Sequence, residues 1–314
     1  MILQDARLIK RWRFAAYLLP CPAVVSAVLL SRIMGVSWML EDCATSILVA
    51  GPPLLLGWFL TRLGKVPAFA GVLTIFSLTV ALMLVGAALA LLGTRSPAPI
   101  ADPWLAAADR ALPVSAMEIV RLIDAWPSWA ISALHKVYTQ TGLYLFLTLI
   151  VLHLMERGAL ALRMFLIWGI SFILISLIAF SAPALGCFSQ LSAAEVEHLP
   201  GGAGRYAIRA FTNFRNAADP VLSFDRVSGV ITFPSFHTVC ALLIAQAWDG
   251  SRIGGLAKVL TGTIILSCVP MGGHYLVDLI AGAAVWWVVT LAVDRLGKPR
   301  PAPAPGAAIA VPAA

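Results

Sequence analysis

Apolar residues fall in long blocks along this chain, separated by polar or charged connections. A membrane-crossing helix needs about 20 apolar residues, and fewer where neighbouring protein shields it. On that measure the blocks predict eight spanning helices, at 14–31, 43–61, 66–93, 137–154, 162–182, 235–248, 257–271 and 275–293. The sixth and seventh are short and are expected to be tilted or partly buried among their neighbours. Between 95 and 136 the pattern changes: Trp104, Leu105, Ala108, Leu112, Ile119, Leu122, Ile123 and Trp126 are interleaved with charged positions. That predicts amphipathic helices lying along the membrane surface. The Gly- and Pro-rich stretch 183–233, carrying Arg205, Arg209, Arg215 and Arg226, is expected to cap one end of the bundle. The Pro/Ala-rich stretch 299–314 is expected to be a disordered tail, and there is no internal repeat. The fold class is therefore all-α, a polytopic transmembrane helical bundle with amphipathic surface helices.

Composition agrees with this pattern. The chain is 60% hydrophobic and 12% charged, with a mean hydropathy of +0.91. A soluble domain is about half apolar and about a quarter charged. A net charge of +7 raises the question of nucleic acid, but no basic run alternates with aromatic residues, and surplus Lys and Arg in a membrane protein mainly set topology. No nucleic-acid partner is expected. Cys21, Cys43, Cys187, Cys240 and Cys268 are scattered, odd in number and without a CxxC pair, so they read as small apolar fillers. Arg7, Lys10, Arg11 and Arg13 before the first block resemble a signal peptide. A second block follows closely and no small-residue cleavage site stands out, so a retained first helix is expected.

Charge asymmetry orients the bundle. With the N-terminus in the cytoplasm and eight crossings, both termini are cytoplasmic. The cytoplasmic segments then hold the N-terminal basic cluster, Arg62, Lys65, Arg157, Arg163, Arg252, Lys258, Arg295, Lys298 and Arg300. Against these stand only Asp5, Glu156, Asp249 and Asp294. The opposite face is balanced, with Glu41, Asp42, Asp102, Asp109, Glu118, Asp124, Glu195, Glu197, Asp219 and Asp225 against nine basic residues. This satisfies the positive-inside rule and puts His237 and His274 at helix starts on the same, extracytoplasmic face.

Two histidines at the mouths of apolar segments are the candidate chemistry, since ionisable groups there are costly to keep. In Gly272-Gly273-His274-Tyr275-Leu276-Val277-Asp278, the two glycines end a loop and let backbone come close to a ligand. His274 and Asp278 are four apart and share a helix face. A carboxylate there fixes the imidazole tautomer and aims the other nitrogen outward as a nucleophile. In Pro234-Ser235-Phe236-His237, Pro234 and Ser235 open a helix whose free N–H groups suit a phosphate. His237 is placed to act as general acid to a leaving oxygen. His153, near Glu156 and Arg157 on the other face, reads as an interfacial side chain. His135 and His198 lie in loops. Trp104, Trp126, Trp129, Trp248, Trp286 and Trp287 fit an interfacial or lipid-facing belt.

Together the two motifs resemble those of the type 2 phosphatidic acid phosphatase superfamily, whose members carry Pro-Ser-Gly-His followed by Ser-Arg, five residues, His, three residues and Asp. Pro234, Ser235 and His237 match the first, with Phe236 in place of glycine; Ser267, His274 and Asp278 fall at the spacing of the second. Pro-Ser-Phe-His-Thr with Gly-Gly-His-Tyr-x-x-Asp looks most like the branch containing the inositol phosphorylceramide synthases and their bacterial relatives. The resemblance covers about residues 215–290. It implies a six-helix catalytic core in a membrane domain at 95–298, preceded by N-terminal transmembrane helices at 1–94, in a bacterial inner membrane. It also implies roles: His274 attacks phosphorus to give a phosphohistidine, Asp278 orients it and His237 protonates the departing alcohol. Ser235, Phe236 and Gly273 would hold the phosphoryl oxygens. The scheme calls for no metal or cofactor, and its partner is a membrane lipid, either a phospholipid or a lipid phosphate.

Two departures from the family pattern stand out. Cys268 occupies the place of the arginine in Ser-Arg, and the upstream Lys, six residues, Arg-Pro motif is absent. Another cation is then needed for the phosphate: Arg215 first, with Arg209 and Arg226 behind it. Whether water or a second alcohol, such as inositol or a glycolipid sugar, accepts the phosphoryl group is left open. Outside this class stand a bis-histidine haem protein ligated by His237 and His274, and a transporter with an intramembrane proton relay. The transporter calls for charges near the bilayer midplane, and here they cluster at one face.

Overall fold

The computed structural model describes residues 6–192, 194–200, 203–223 and 229–297. All eight apolar blocks form helix. The first is α1 (Ala6–Leu18) continued by α2 (Pro20–Ile33), followed by α3 (Leu40–Arg62) and α4 (Pro67–Thr94). Three short helices come next: α5 (Asp102–Arg110), α6 (Ala116–Asp124) and α7 (Ser128–Thr139). Then come α8 (Thr141–Leu154), α9 (Gly158–Ser181), α10 (Arg205–Asn216), α11 (Phe236–Trp248), α12 (Gly254–Gly272) and α13 (Leu276–Leu296). The described strands are β1 (Ser37–Trp38) and β2 (Val221–Leu222), paired in parallel.

Six of these spans are long and apolar enough to cross a membrane by themselves. The chain is an integral multi-pass membrane protein with an all-α bundle fold. The expected eight crossings thus reduce to six by length and composition. The fourth block is shared by α7 and α8, bent by 53° at the residue between them; counted as one broken span, the pair would be a seventh. The sixth block, α11, has 13 residues, about 20 Å at 1.5 Å per residue. It is short because it lies inside the bundle, with Val239, Cys240, Ala241, Leu243 and Ile244 all buried. The seventh block, expected to be short, is a full 19-residue helix that runs on through Pro270.

The core is built by α4, α8, α9, α11, α12 and α13, through residues such as Ile75, Leu82, Leu149, Phe165, Leu243 and Ile264. In α3 only Gly57 is buried, against Ala70 and Thr74 of α4, so the rest of that helix faces outward. Arg163 and Asp294 form a bidentate pair at 2.6 and 2.8 Å that ties the start of α9 to the end of α13. Two further expectations change. His153 is buried (7% exposed), its Nδ1 bonded to the Leu149 carbonyl, rather than interfacial. Trp248 is also buried, and its indole N–H donates to Thr148.

The surface helices are amphipathic as their pattern predicts. Leu105, Val120 and Ile123 are buried while Trp104 and Leu122 are exposed. The N-terminus of α6 carries a capping box, in which Ser115 and Glu118 satisfy each other's backbone N–H. What attaches these helices to the bundle is a pair of buried carboxylates. Asp102 accepts from the Leu185 and Gly186 amides at 2.7 and 2.8 Å and from the Tyr275 hydroxyl at 3.3 Å. Asp109 accepts from the Ala116 and Leu276 amides at 2.7 and 2.6 Å. Across the same end, Arg95 donates to the carbonyls of Phe214, Arg215 and Ala217, while Arg215 donates back to Thr94. Each of the two arginines caps the C-terminal end of the other's helix.

Removing Asp109 leaves the buried Ala116 amide and the half-buried Leu276 amide without an acceptor, at about 1–3 kcal/mol for the buried one and less for the other. Asp109→Ala is expected to lower the apparent melting temperature in detergent by several degrees relative to a surface control such as the exposed Glu197→Ala. Fluorescence-monitored unfolding of the purified protein checks this.

Candidate active site

Two segments meet at the end of the bundle covered by α5–α7. The first is the turn into α11. Ser235 is the N-cap of this helix, accepting from the Thr238 amide at 3.4 Å, while its own N–H donates to the Asp278 carbonyl at 2.9 Å. Such an approach of α13 to the turn requires Gly282, where a Cβ would lie 2.3 Å from the Ser235 carbonyl oxygen.

The second segment is the break between α12 and α13. Gly273 ends α12 in the left-handed region at φ 74°, which suits glycine at this position. Its N–H donates to Val269 and its carbonyl accepts from Cys187, so Gly273 shapes the turn and has no free amide. His274 follows, 1% exposed, and then Tyr275, whose N–H donates to Asp278 Oδ2 at 2.9 Å.

These turns bring the expected residues together. The His237 and His274 ring centroids lie 6.4 Å apart with their planes at 65°. Ser235 Oγ is 3.5 Å from His274 Nε2. On the other side of the ring, His274 Nδ1 lies 3.4 Å from Asp278 Oδ2, close to it but not in a formed hydrogen bond. The same Oδ2 accepts the Tyr275 amide. Asp278 Oδ1 and His274 Nδ1 are buried without a partner in the described protein. A small adjustment of either side chain closes the contact to a hydrogen bond. His274 lies outside both spanning helices; burial pushes its imidazole down from 6.5 to about 4, against the pull of the Thr232 carbonyl. It is therefore neutral at pH 7, with a free lone pair.

The remaining expected residues are arranged differently. The Phe236 ring stacks on Phe172 with centroids 4.4 Å apart, so only its backbone faces the start of α11. Arg215 is engaged by the Thr94 and Ala98 carbonyls and lies over Phe211. Arg209 is exposed on α10, and Arg226 lies outside the described residues. The Cys268 side chain is fully buried and faces Ser235 and Thr238.

Several residues were not singled out from the sequence. Tyr138 stacks on His237 with centroids 4.2 Å apart, and its hydroxyl is 3.3 Å from that of Tyr206. Gly204 packs against Gly273 and donates to the Met271 carbonyl. Arg205, the first residue of α10, therefore lies between Gly204 and Tyr206, both in contact with the cluster. It is half-buried and has no ion-pair or hydrogen-bond partner for its side chain among the described residues. For Tyr138 and Tyr206 no sequence signal existed. Asp102 and Asp109, however, are seven apart at an amphipathic helix, and that spacing places both on one face.

A family model described as the PAP2 superfamily matches residues 103–292, more than half of the chain. The chain belongs to the PAP2 superfamily. The match takes in both histidine motifs, Tyr138, Arg205 and Asp109, and leaves α1–α4 outside. No curated protein and no solved structure matches the chain. PAP2 superfamily membership supports an activity of the lipid phosphatase or phosphotransferase kind.

Protonation removes the lone pair of His274, so for this PAP2 protein kcat/KM is expected to hold through pH 6 and to fall as pH drops towards about 4. A pH–rate profile on a non-titrating substrate measures this; an acid limb centred at 6.5 would instead report a solvated imidazole.

Proposed function

We propose that this protein cleaves a phosphoester of a membrane lipid through a phosphohistidine at His274. The observation that carries the reading is the convergence of His274, His237, Ser235 and Asp278 in one buried cluster within the family match. In the first step His274 Nε2 attacks phosphorus. The phosphorus–oxygen bond to the leaving alcohol breaks, and His237, held as an imidazolium by the negative charge of the bound phosphate, supplies that oxygen with its proton. Asp278 stabilises the imidazolium that forms, as an orienting carboxylate does in a catalytic triad. In the second step His237 takes a proton from the acceptor hydroxyl, which attacks phosphorus and frees His274. Ser235 and the first-turn amides of α11 face the developing charge as preorganised donors. A haem reading is disfavoured, because Ser235 Oγ sits 3.5 Å from the nitrogen that would bind iron.

Arg205 replaces Arg215 as the proposed phosphate-binding cation, because Arg215 already neutralises helix-end carbonyls whereas Arg205 has no partner. One observation favours head-group transfer over simple hydrolysis of a lipid phosphate. Where the family places a cation, the buried Cys268 faces Ser235. A site short of positive charge suits a phosphodiester, with one negative charge, better than a monoester with nearly two. The reading closest to this is transfer of inositol phosphate, or another head group, to a lipid alcohol, as the branch resemblance suggests. We take 95–298 as the catalytic unit and the extracytoplasmic side as its face; the family match and the charge asymmetry support these assignments.

Purified protein is expected to release the phosphorylated head group from a phosphodiester lipid faster than phosphate from phosphatidic acid, and an alcohol acceptor should divert the product. His274→Ala should abolish turnover and Asp278→Asn should lower kcat by ~100-fold or more, by analogy with loss of a triad's orienting group. Full activity in His274→Ala would end the proposal. Arg205→Gln should raise KM and lower kcat, with Arg205→Lys recovering part of the loss. Unchanged kinetics in Arg205→Gln would return the role to another cation.

A further inference from the structure

A cavity of about 740 Å³ lies at the opposite end of the bundle from the histidine cluster. It opens between the start of the first span, the α3–α4 turn and the α8–α9 turn. Its position follows from the helix directions: Tyr138 precedes α8 at the catalytic end, and His153 closes α8 at the other end. The 14 residues of α8 separate the two by about 20 Å. No residue proposed for the chemistry lines this cavity.

Its lining divides into two parts. One is apolar: Ile9, Leu60, Phe69, Ile75 and Leu162 face it from four helices. The other is polar and mostly basic. Arg13 and Lys65 stand at the rim, both exposed and neither with an ion-pair partner among the described residues. Glu156 is the single carboxylate of the lining, so the rim keeps a net positive charge. Deeper in, the buried His153 ring fits against Gly71, where a Cβ would come within 2.2 Å of it. Its Nδ1–H donates to Leu149, which leaves Nε2 as an acceptor. An apolar trough with a cationic mouth at a membrane boundary is complementary to one chemical class, a chain-bearing anion from the adjoining leaflet.

We propose that this cavity is a second lipid site, holding an anionic glycerophospholipid with its phosphate between Arg13 and Lys65 and an acyl chain along Leu60, Phe69 and Leu162. It is independent of the catalytic reading, because it uses a different end of the protein and different side chains. A lipid seated there wedges the first span against the α8–α9 turn. It makes the protein's stability depend on the composition of that leaflet.

Native mass spectrometry of the full-length protein in a mild detergent, titrated with dioleoyl phosphatidylglycerol, phosphatidylethanolamine or phosphatidylcholine, tests this. Phosphatidylglycerol should be retained at one copy, with at least tenfold preference over the other two. The preference should vanish in Arg13→Gln/Lys65→Gln and persist in the charge-conserving Arg13→Lys/Lys65→Arg. Ala68→Phe, which fills the cavity, should remove the bound lipid altogether, and none of these variants should alter turnover at the histidine site. Equal retention of all three lipids, or the same preference in Arg13→Gln/Lys65→Gln, would overturn the proposal. Displacement of the lipid by glycerol 3-phosphate would show a site for a soluble phosphate and overturn it as well.

Discussion

The amide of Ser235 and the carbonyl of Asp278, 2.9 Å apart, join the starts of the two helices that carry the histidines. Everything at the site depends on that junction. It makes the N-termini of α11 and α13 neighbours, so both positive helix ends point at one volume. It holds Ser235 against His274, and it requires Gly282, since no side chain fits between the helices there. The same Asp278 that supplies this carbonyl uses one carboxylate oxygen to hold the Tyr275 amide. Backbone and side chain of a single residue thus set the register of both motifs.

The surrounding charges are arranged economically. Asp102 and Asp109 are buried but saturated with N–H and O–H donors, which lets carboxylates exist in a low-dielectric layer. They bind backbone, so their task is to seat the covering helices and the 183–190 loop on the core. The arginines of the cap divide in the same way. Arg95 and Arg215 satisfy helix-end carbonyls, whereas Arg205 has none to satisfy. That difference is what makes Arg205, rather than Arg215, the arginine proposed for the phosphate.

Much of this was legible in the sequence. Long apolar blocks mark helices because a backbone in lipid has to satisfy its own hydrogen bonds, and every block is helical. The convergence of His237 and His274 followed from counting crossings and from motif spacing. Other features were not legible, for identifiable reasons. The burial of α11 depends on which neighbours surround it, and a 13-residue apolar run looks the same in lipid or in protein. The roles of Arg205 and Arg215 look interchangeable in a loop rich in arginine, because carbonyl caps contributed by a distant helix leave no trace in local sequence. Tyr138 reached the site through the 53° bend between α7 and α8, which apolar periodicity does not encode.

The reciprocal capping by Arg95 and Arg215 reaches beyond local stability. It fastens the last turn of α4, a helix outside the family match, to α10, which carries the cation proposed for the phosphate. The leading helices are thus a mechanical anchor for the lid over the histidine cluster, not a detachable membrane tether. A version of the protein pared down to its family-defining segment would keep both histidines and lose the brace that holds the lid in place.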